Sequence, residues 1–356
     1  MKTLFFLFSL LLFFTACYKD VEEITNVNHY GTDESGKGYT LFALDKQSKT
    51  ISKINYMNKN NPVINPYITL SGEADKITVD GNYLYVISSV ENTAYKIGIK
   101  DKTTYSISFL SKPSLFEIVS DNSFSYISGY SLNSIYRVNN YSFEKNAKLV
   151  ISDINPKYMK IYSKSLYVVS NNSKAAKKVL MLNLNDFDKY IDNTKSYSHF
   201  PFATDTSSVG DIVGMDFGED RAYFVALLGT AGSIIYSDSG ALKLGGKVAI
   251  GNSGSVGNCV YSNQMLFIDR ASTANGLYIS EVTNGIPKTP KLNDSTFNYI
   301  VSSVKSNKDI LATTQTALAT EDSGTVRIYN TSYLGLKNSL LFSAKIQKKP
   351  ISIAFW

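Results

Sequence analysis

Short apolar runs with an aromatic or aliphatic centre recur along most of the chain, and that recurrence limits the fold more than any other feature. They are YLYVIS at 83–88, FSYIS at 124–128, SLYVVS at 165–170, AYFVA at 222–226, MLFID at 265–269 and DILAT at 309–313. Their centres are Tyr85, Tyr126, Tyr167, Phe224, Phe267 and Leu311, separated by 41, 41, 57, 43 and 44 residues. The long step contains a visible insertion, NDFDKYIDNTKSYSHF. Each run is bounded by Asn, Asp, Ser or Gly, the signature of strands joined by tight turns. The 25 tyrosines and 19 phenylalanines suit half-buried pleated surfaces.

Each unit fills out to four strands. KITVD, FEIVS, MKIYS, IVGMDF, NCVYS and VSSVK precede the central runs, and AYKIGI, SIYRV, KVLMLNL, GSIIYS, GLYIS and GTVRIYN follow them. The fourth strand is less regular: TTYSISF, KNAKLVI, a stretch near KSYSHF, GGKVAI, a stretch near IPKTPKL, and LLFSAKI. Four-strand units repeating every 40 to 50 residues are those of propeller blades. The chain ends carry the pieces of one more blade. KKPISIAFW reads as a first strand, with Pro350 matching Pro113 and Pro156 ahead of other first strands. GYTLFALD at 38–45 reads as a third strand, TISKINY at 50–56 as a fourth, and ITNVNHY supplies a second. The fold expected is all-β: a seven-bladed β-propeller whose last blade is closed by strands from both termini, which removes a free sheet edge. Trp356 would anchor that closure. A β-sandwich explains the strands but not the repeated quartets, an α/β barrel lacks its crossover helices, and six or eight blades stay open because strand limits drawn from sequence are soft.

Residues 1–16, MKTLFFLFSLLLFFTA, place Lys2 before an apolar run too short to span a bilayer and read as a secretory signal. The FTA–Cys17 junction resembles a bacterial lipobox, which makes Cys17 the acylated residue, 17–23 a lipidated tether and 24–356 a single propeller domain. An ordinary secreted protein is the alternative. The acidic YKDVEE after Cys17 loosely resembles the surface-export signal of Bacteroidota lipoproteins; the expected location is the outer membrane, facing outward, with the periplasm as alternative. With Cys17 lipidated, Cys259 stands alone and serves as a small buried hydrophobe.

The layout resembles that of YncE-like seven-bladed propellers and is similar in plan to surface propeller lipoproteins of Bacteroidota that capture cobalamin or ferric siderophores. The resemblance spans about residues 24–356 and rests on layout; no motif carries ligand residues across, and a tryptophan-aspartate blade signature is missing. It implies capture of a small-molecule or metal-complex cargo for a TonB-dependent outer-membrane transporter.

Binding residues are expected where loops between second and third strands meet loops leading into first strands. Those loops offer Tyr130 and Tyr158 to stack on a flat ligand, Lys112, Lys157 and Arg270 to meet an anionic group, and Asn172 as a polar contact. Asp33–Lys37, Asp75, Asp211, Ser255 and Lys348 fall on the same rim. The formal charge of +6 is mild and no basic stripe with interleaved aromatics occurs, so nucleic acid is not an expected partner. No cofactor or metal is expected: His29 and His199 lack metal-site spacing, and Asp216, Glu219 and Asp220 fit a turn between strands. No nucleophile elbow or P-loop occurs, so catalysis is not the leading expectation. A propeller enzyme acting on glycans or peptides would need carboxylates such as Asp75, Asp211 and Glu117 to converge in the channel, and an envelope scaffold would need a broad contact face.

Overall fold

The computed structural model describes residues 39–57, 60, 62–152, 154–170, 179–200, 210–218, 220–238, 244–251, 256–270, 274–317, 321–333, 339–346 and 348–356. Their strands form seven antiparallel sheets. The closing blade holds β1 (Thr40–Asp45), β2 (Thr50–Asn55) and β3 (Val63–Thr69), with β29 (Pro350–Phe355) added beside β1. Blade 1 is β4 (Lys76–Asp80), β5 (Tyr83–Ser88), β6 (Thr93–Gly98) and β7 (Thr104–Ser108); blade 2 is β8 (Leu115–Ser120), β9 (Phe124–Gly129), β10 (Ser134–Asn139) and β11 (Lys145–Val150). Blade 3 is β12 (Pro156–Tyr162), β13 (Ser165–Ser170), β14 (Val179–Asn183) and β15 (Ser198–His199); blade 4 is β16 (Asp211–Gly218), β17 (Arg221–Leu228), β18 (Ala231–Ser237) and β19 (Leu244–Gly251). In blade 5, β20 (Cys259–Ser262), β21 (Met265–Ile268) and β22 (Leu277–Thr283) are followed by two short outer pieces, β23 (Ile286–Pro287) and β24 (Lys291–Asn293). Blade 6 is β25 (Ser303–Asn307), β26 (Ile310–Gln315), β27 (Gly324–Asn330) and β28 (Leu340–Ile346).

The first strands touch in one unbroken circuit: β4, β8, β12, β16, β20, β25, β29 and back to β4. The chain is a closed seven-bladed β-propeller. Its apolar interior is divided into seven seams, one between each pair of neighbouring blades. Strand alternation builds them. In β5, Leu84 and Val86 enter the seam with the closing blade, while Tyr85 and Ile87 enter the seam with blade 2. Second strands are covered on both faces, which is why they read as continuous apolar runs, whereas outer strands such as β7 and β28 are largely exposed.

The seams correct the repeat register by one residue in two blades. Tyr85, Tyr126, Tyr167 and Phe267 face the following blade, but Phe224 and Leu311 face the preceding one; their neighbours Tyr223 and Ala312 occupy the equivalent place. A slip of one residue reverses the face of a strand, and aromatic identity alone does not reveal it.

Closure is as expected in outline and shifted in detail. β29 is the inner strand and pairs with β1, Leu41 opposite Phe355 and Leu44 opposite Ser352. Residues 40–45 are therefore the second strand and 50–55 the third, rather than third and fourth. The outer strand is β3, which contains Pro66 and leaves three central residues exposed, as an edge strand tolerates. The segment ITNVNHY lies outside the described residues. Trp356 is buried, donates from Nε1 to the Gly81 carbonyl at 3.1 Å and from its backbone to Thr40 at 2.9 Å, and so fastens the closing blade to blade 1. The insertion after β14 forms a short helix, Phe187–Ile191, whose Phe187 and Tyr190 plug the seam between blades 2 and 3.

Candidate functional site

The top face, where the chain runs into each first strand, carries a rim linked by hydrogen bonds across three blades. In blade 1, Asn92 accepts from Phe109 through its carbonyl and from the Ser114 amide through Oδ1, tying loop 89–92 to loop 109–114. In blade 2, Tyr130 and Ser131 donate their amides to Ser114 and Pro113. Asn155, ahead of blade 3, donates Nδ2 to the Tyr130 carbonyl at 3.0 Å.

On this rim Phe116 gathers the expected aromatic residues. Its ring centroid lies 6.3 Å from Tyr130 and 5.6 Å from Tyr158, the latter edge-on, and Lys157 Nζ lies 5.4 Å from Phe116 and 5.3 Å from Tyr158. Phe116, Tyr130, Lys157 and Tyr158 are all half-buried. Burial, followed by the charges of Glu117 and Asp269, pushes the Tyr158 hydroxyl up to about 12, so it is a donor across the physiological range. Lys112 is exposed on the adjoining loop, its carbonyl accepting from Ser131 Oγ at 3.4 Å. Arg270 belongs to blade 5, where it donates to the Asn275 carbonyl and lies over Tyr278. Asn172, Cys17, His29, Glu219, Ser255 and Asp33–Lys37 lie outside the described residues.

Phe116 was not among the expected residues. Its signal was the break in alternation at Leu115–Ile118, where the register shifts: Leu115 and Ile118 are both buried, so the two residues between them are lifted out. Two exposed apolar side chains extend the rim into blade 1, Val90 at 66% and Leu110 at 95% exposure. With the closing blade reassigned, its contribution comes from loop 46–49. Lys46 Nζ pairs with Asp75 at 2.6 Å, and the Ser89 amide and hydroxyl donate to the same carboxylate. Burial would raise the Asp75 carboxyl, but these bonds outweigh it and hold it below its usual value.

Below the rim, the first strands share one level of equivalent positions. Pairing with the second strands defines it: Thr78 opposite Tyr85, Val119 opposite Tyr126, Lys160 opposite Tyr167, Asp216 opposite Tyr223, Val260 opposite Phe267, Lys305 opposite Ala312 and Ala354 opposite Phe42. Lys160 pairs with Asp216, whose other oxygen accepts from the Tyr261 amide at 2.7 Å. Gly214 allows blades 4 and 5 to approach this closely, since a Cβ there would stand 2.7 Å from the Cys259 nitrogen. Two residues nearer the rim, Lys76 faces Glu117 at 3.6 Å and Ser352 Oγ accepts from the Ile77 amide. Asp75, Glu117 and Asp211 do not form a carboxylate group: two are paired with lysines and Asp211 is exposed. No group of three or more metal-ligating side chains occurs among the described residues. Cys259 is buried and free, and burial raises its thiol far above the usual range.

No family model matches the chain, and no curated protein does. Solved structures share its fold. A 6-phosphogluconolactonase candidate from Bacteroides fragilis NCTC 9343 superposes with a TM-score of 0.63 at 14% identity, over 88% of this chain and 96% of the other. A protein from Desulfotomaculum acetoxidans DSM 771, described as functionally unknown, gives 0.61 at 13% identity over 88% and 98%. Virginiamycin B lyase from Staphylococcus aureus gives 0.57 at 12% identity over 77% and 87%. At these identities the likeness is one of fold.

Proposed function

We propose that the protein is a lipid-anchored, outward-facing capture protein of the outer membrane whose top rim binds an extracellular cargo without transforming it. The cargo class is a large, partly aromatic and polar molecule of the cobalamin or ferric-siderophore kind, passed to a TonB-dependent transporter. The observation that carries this reading is the cluster of Phe116, Tyr130 and Tyr158 beneath Lys157 on a rim continuous over three blades. Aromatic faces and a cation on a rigid scaffold receive a flat anionic ligand with little ordering cost. Val90 and Leu110 lengthen the apolar surface beside it. Ion pairing of the channel carboxylates weighs against an acid–base pair there.

Titration calorimetry of the purified protein with cobalamin and with a ferric catecholate tests this reading. Phe116→Ala and Tyr130→Ala should each weaken binding about tenfold, the value of one lost aromatic contact, while Arg270→Ala should have a smaller effect. Absence of saturable binding to both probes removes the named cargo class, and unchanged affinity in both aromatic variants moves the site elsewhere. The exposure of Leu110 and Val90 also favours a protein partner on the same rim; light scattering with the purified transporter would reveal it as a complex lost in a Leu110→Ser variant.

A further inference from the structure

The channel level holding Lys160, Asp216 and Lys305 carries more positive than negative charge. Lys160 is neutralised by Asp216, and Lys76, one step nearer the rim, by Glu117. Lys305 makes no ion pair among the described residues, although it occupies in blade 6 the position that Lys160 and Asp216 occupy in blades 3 and 4. It interacts electrostatically with Lys160, Asp216, Glu117 and Lys76, which come from four other blades. Only a group near the common axis meets side chains from so many blades. The neighbouring first strands offer it no charge: β20 contributes Cys259, Val260, Tyr261 and Ser262, and β29 is uncharged throughout. The remaining positions of the level, Thr78, Val119, Val260 and Ala354, carry no charge either.

A half-buried ammonium with no ion-pair partner of its own is costly, and an anion lowers that cost. We propose that the channel holds a small anion, a carboxylate or phosphate group, bound to Lys305 Nζ and flanked by the ammonium groups of Lys160 and Lys76. The hydroxyls of Thr78 and Ser352 supply further donors, since Ser352 Oγ already accepts from the Ile77 amide and its own proton is free to donate. This position lies below the Phe116 cluster, so the site is separate from the rim proposed to receive the larger cargo. Burial, then the Lys160 charge, lowers the Lys305 ammonium to about 8 against the opposing pull of Asp216 and Glu117. Binding is therefore stronger below that pH than above it.

Inorganic phosphate and acetate, titrated calorimetrically into the purified protein against chloride of equal ionic strength, serve as probes. At least one should give saturable heat at pH 7 and bind at least tenfold more weakly at pH 9.5. Lys305→Met should abolish that binding while keeping the native circular dichroism, and Lys112→Ala on the rim should leave it unchanged. Absence of saturable heat from both anions, or binding by the folded Lys305→Met protein within twofold of wild type, overturns the site. Both outcomes are independent of cobalamin or siderophore binding at Phe116 and Tyr130.

Discussion

Replacing Trp356 by alanine tests the closure of the ring. The indole is 5% exposed, packs 6.4 Å from Phe42 and lies under Lys53 Nζ at 5.0 Å. Truncating a buried tryptophan costs about 3–5 kcal/mol. Loss of the bond to the Gly81 carbonyl adds about 1 kcal/mol, and the cation–π contact at this partly exposed seam about 0.5 kcal/mol. A total near 5 kcal/mol, with a urea dependence of about 3 kcal/mol per M, lowers the denaturation midpoint by about 1.7 M. Circular dichroism follows the variant. In the wild type the single tryptophan lets emission report the seam itself, and the two signals should coincide because the closing blade shares both its seams with its neighbours. Trp356→Phe should recover more than half of the loss. A midpoint shift below 0.3 M, or an emission change well before the circular dichroism change, would refute the reasoning that this residue locks the whole ring.

Further outcomes follow from the charges and the seams. The Lys305 ammonium stands at about 8 in the folded protein against 10.5 in an ordinary lysine. The unfolded chain therefore holds that proton more tightly, and the penalty is complete below pH 8 and gone by 10.5. It amounts to about 3 kcal/mol at most, so wild-type stability, measured by urea unfolding, should rise relative to Lys305→Met between pH 8 and 10.5. Asp75→Asn should cost about 1–2 kcal/mol at pH 7, and the difference should shrink as pH falls through the wild-type carboxyl's lowered value, below 3.8. In a Cys17→Ser chain, a thiol reagent should label Cys259 only as fast as the protein unfolds, because the thiol is buried and protonated. Gly214→Ala should destabilise the protein by more than 2 kcal/mol, since its Cβ meets the backbone of blade 5.

Blade number and closure were legible because each second strand is apolar on both faces and recurs at a nearly constant interval. What escaped was register. Phe224 and Tyr223 are equally aromatic, and only the seam each enters tells them apart. The outer strand of the closing blade was overlooked because Pro62 and Pro66 interrupt its pattern, although prolines are what an edge strand accepts. Tyr130, Lys157 and Tyr158 were found on the rim by their place in the repeat, whereas Phe116, at their centre, was hidden inside a first strand by the irregularity that turns it outward. The channel charges were invisible for a different reason: Lys76, Glu117, Lys160, Asp216 and Lys305 are 229 residues apart at the extremes, and a ring alone brings them together.

Because the apolar seams lie between blades, the axis contributes little to holding the molecule together. Side chains there can change one at a time, with each exchange leaving the interlocked walls intact. The scaffold thus separates what keeps it folded from the charged side chains at its centre, and a lysine there can be exchanged for another group without rebuilding the ring.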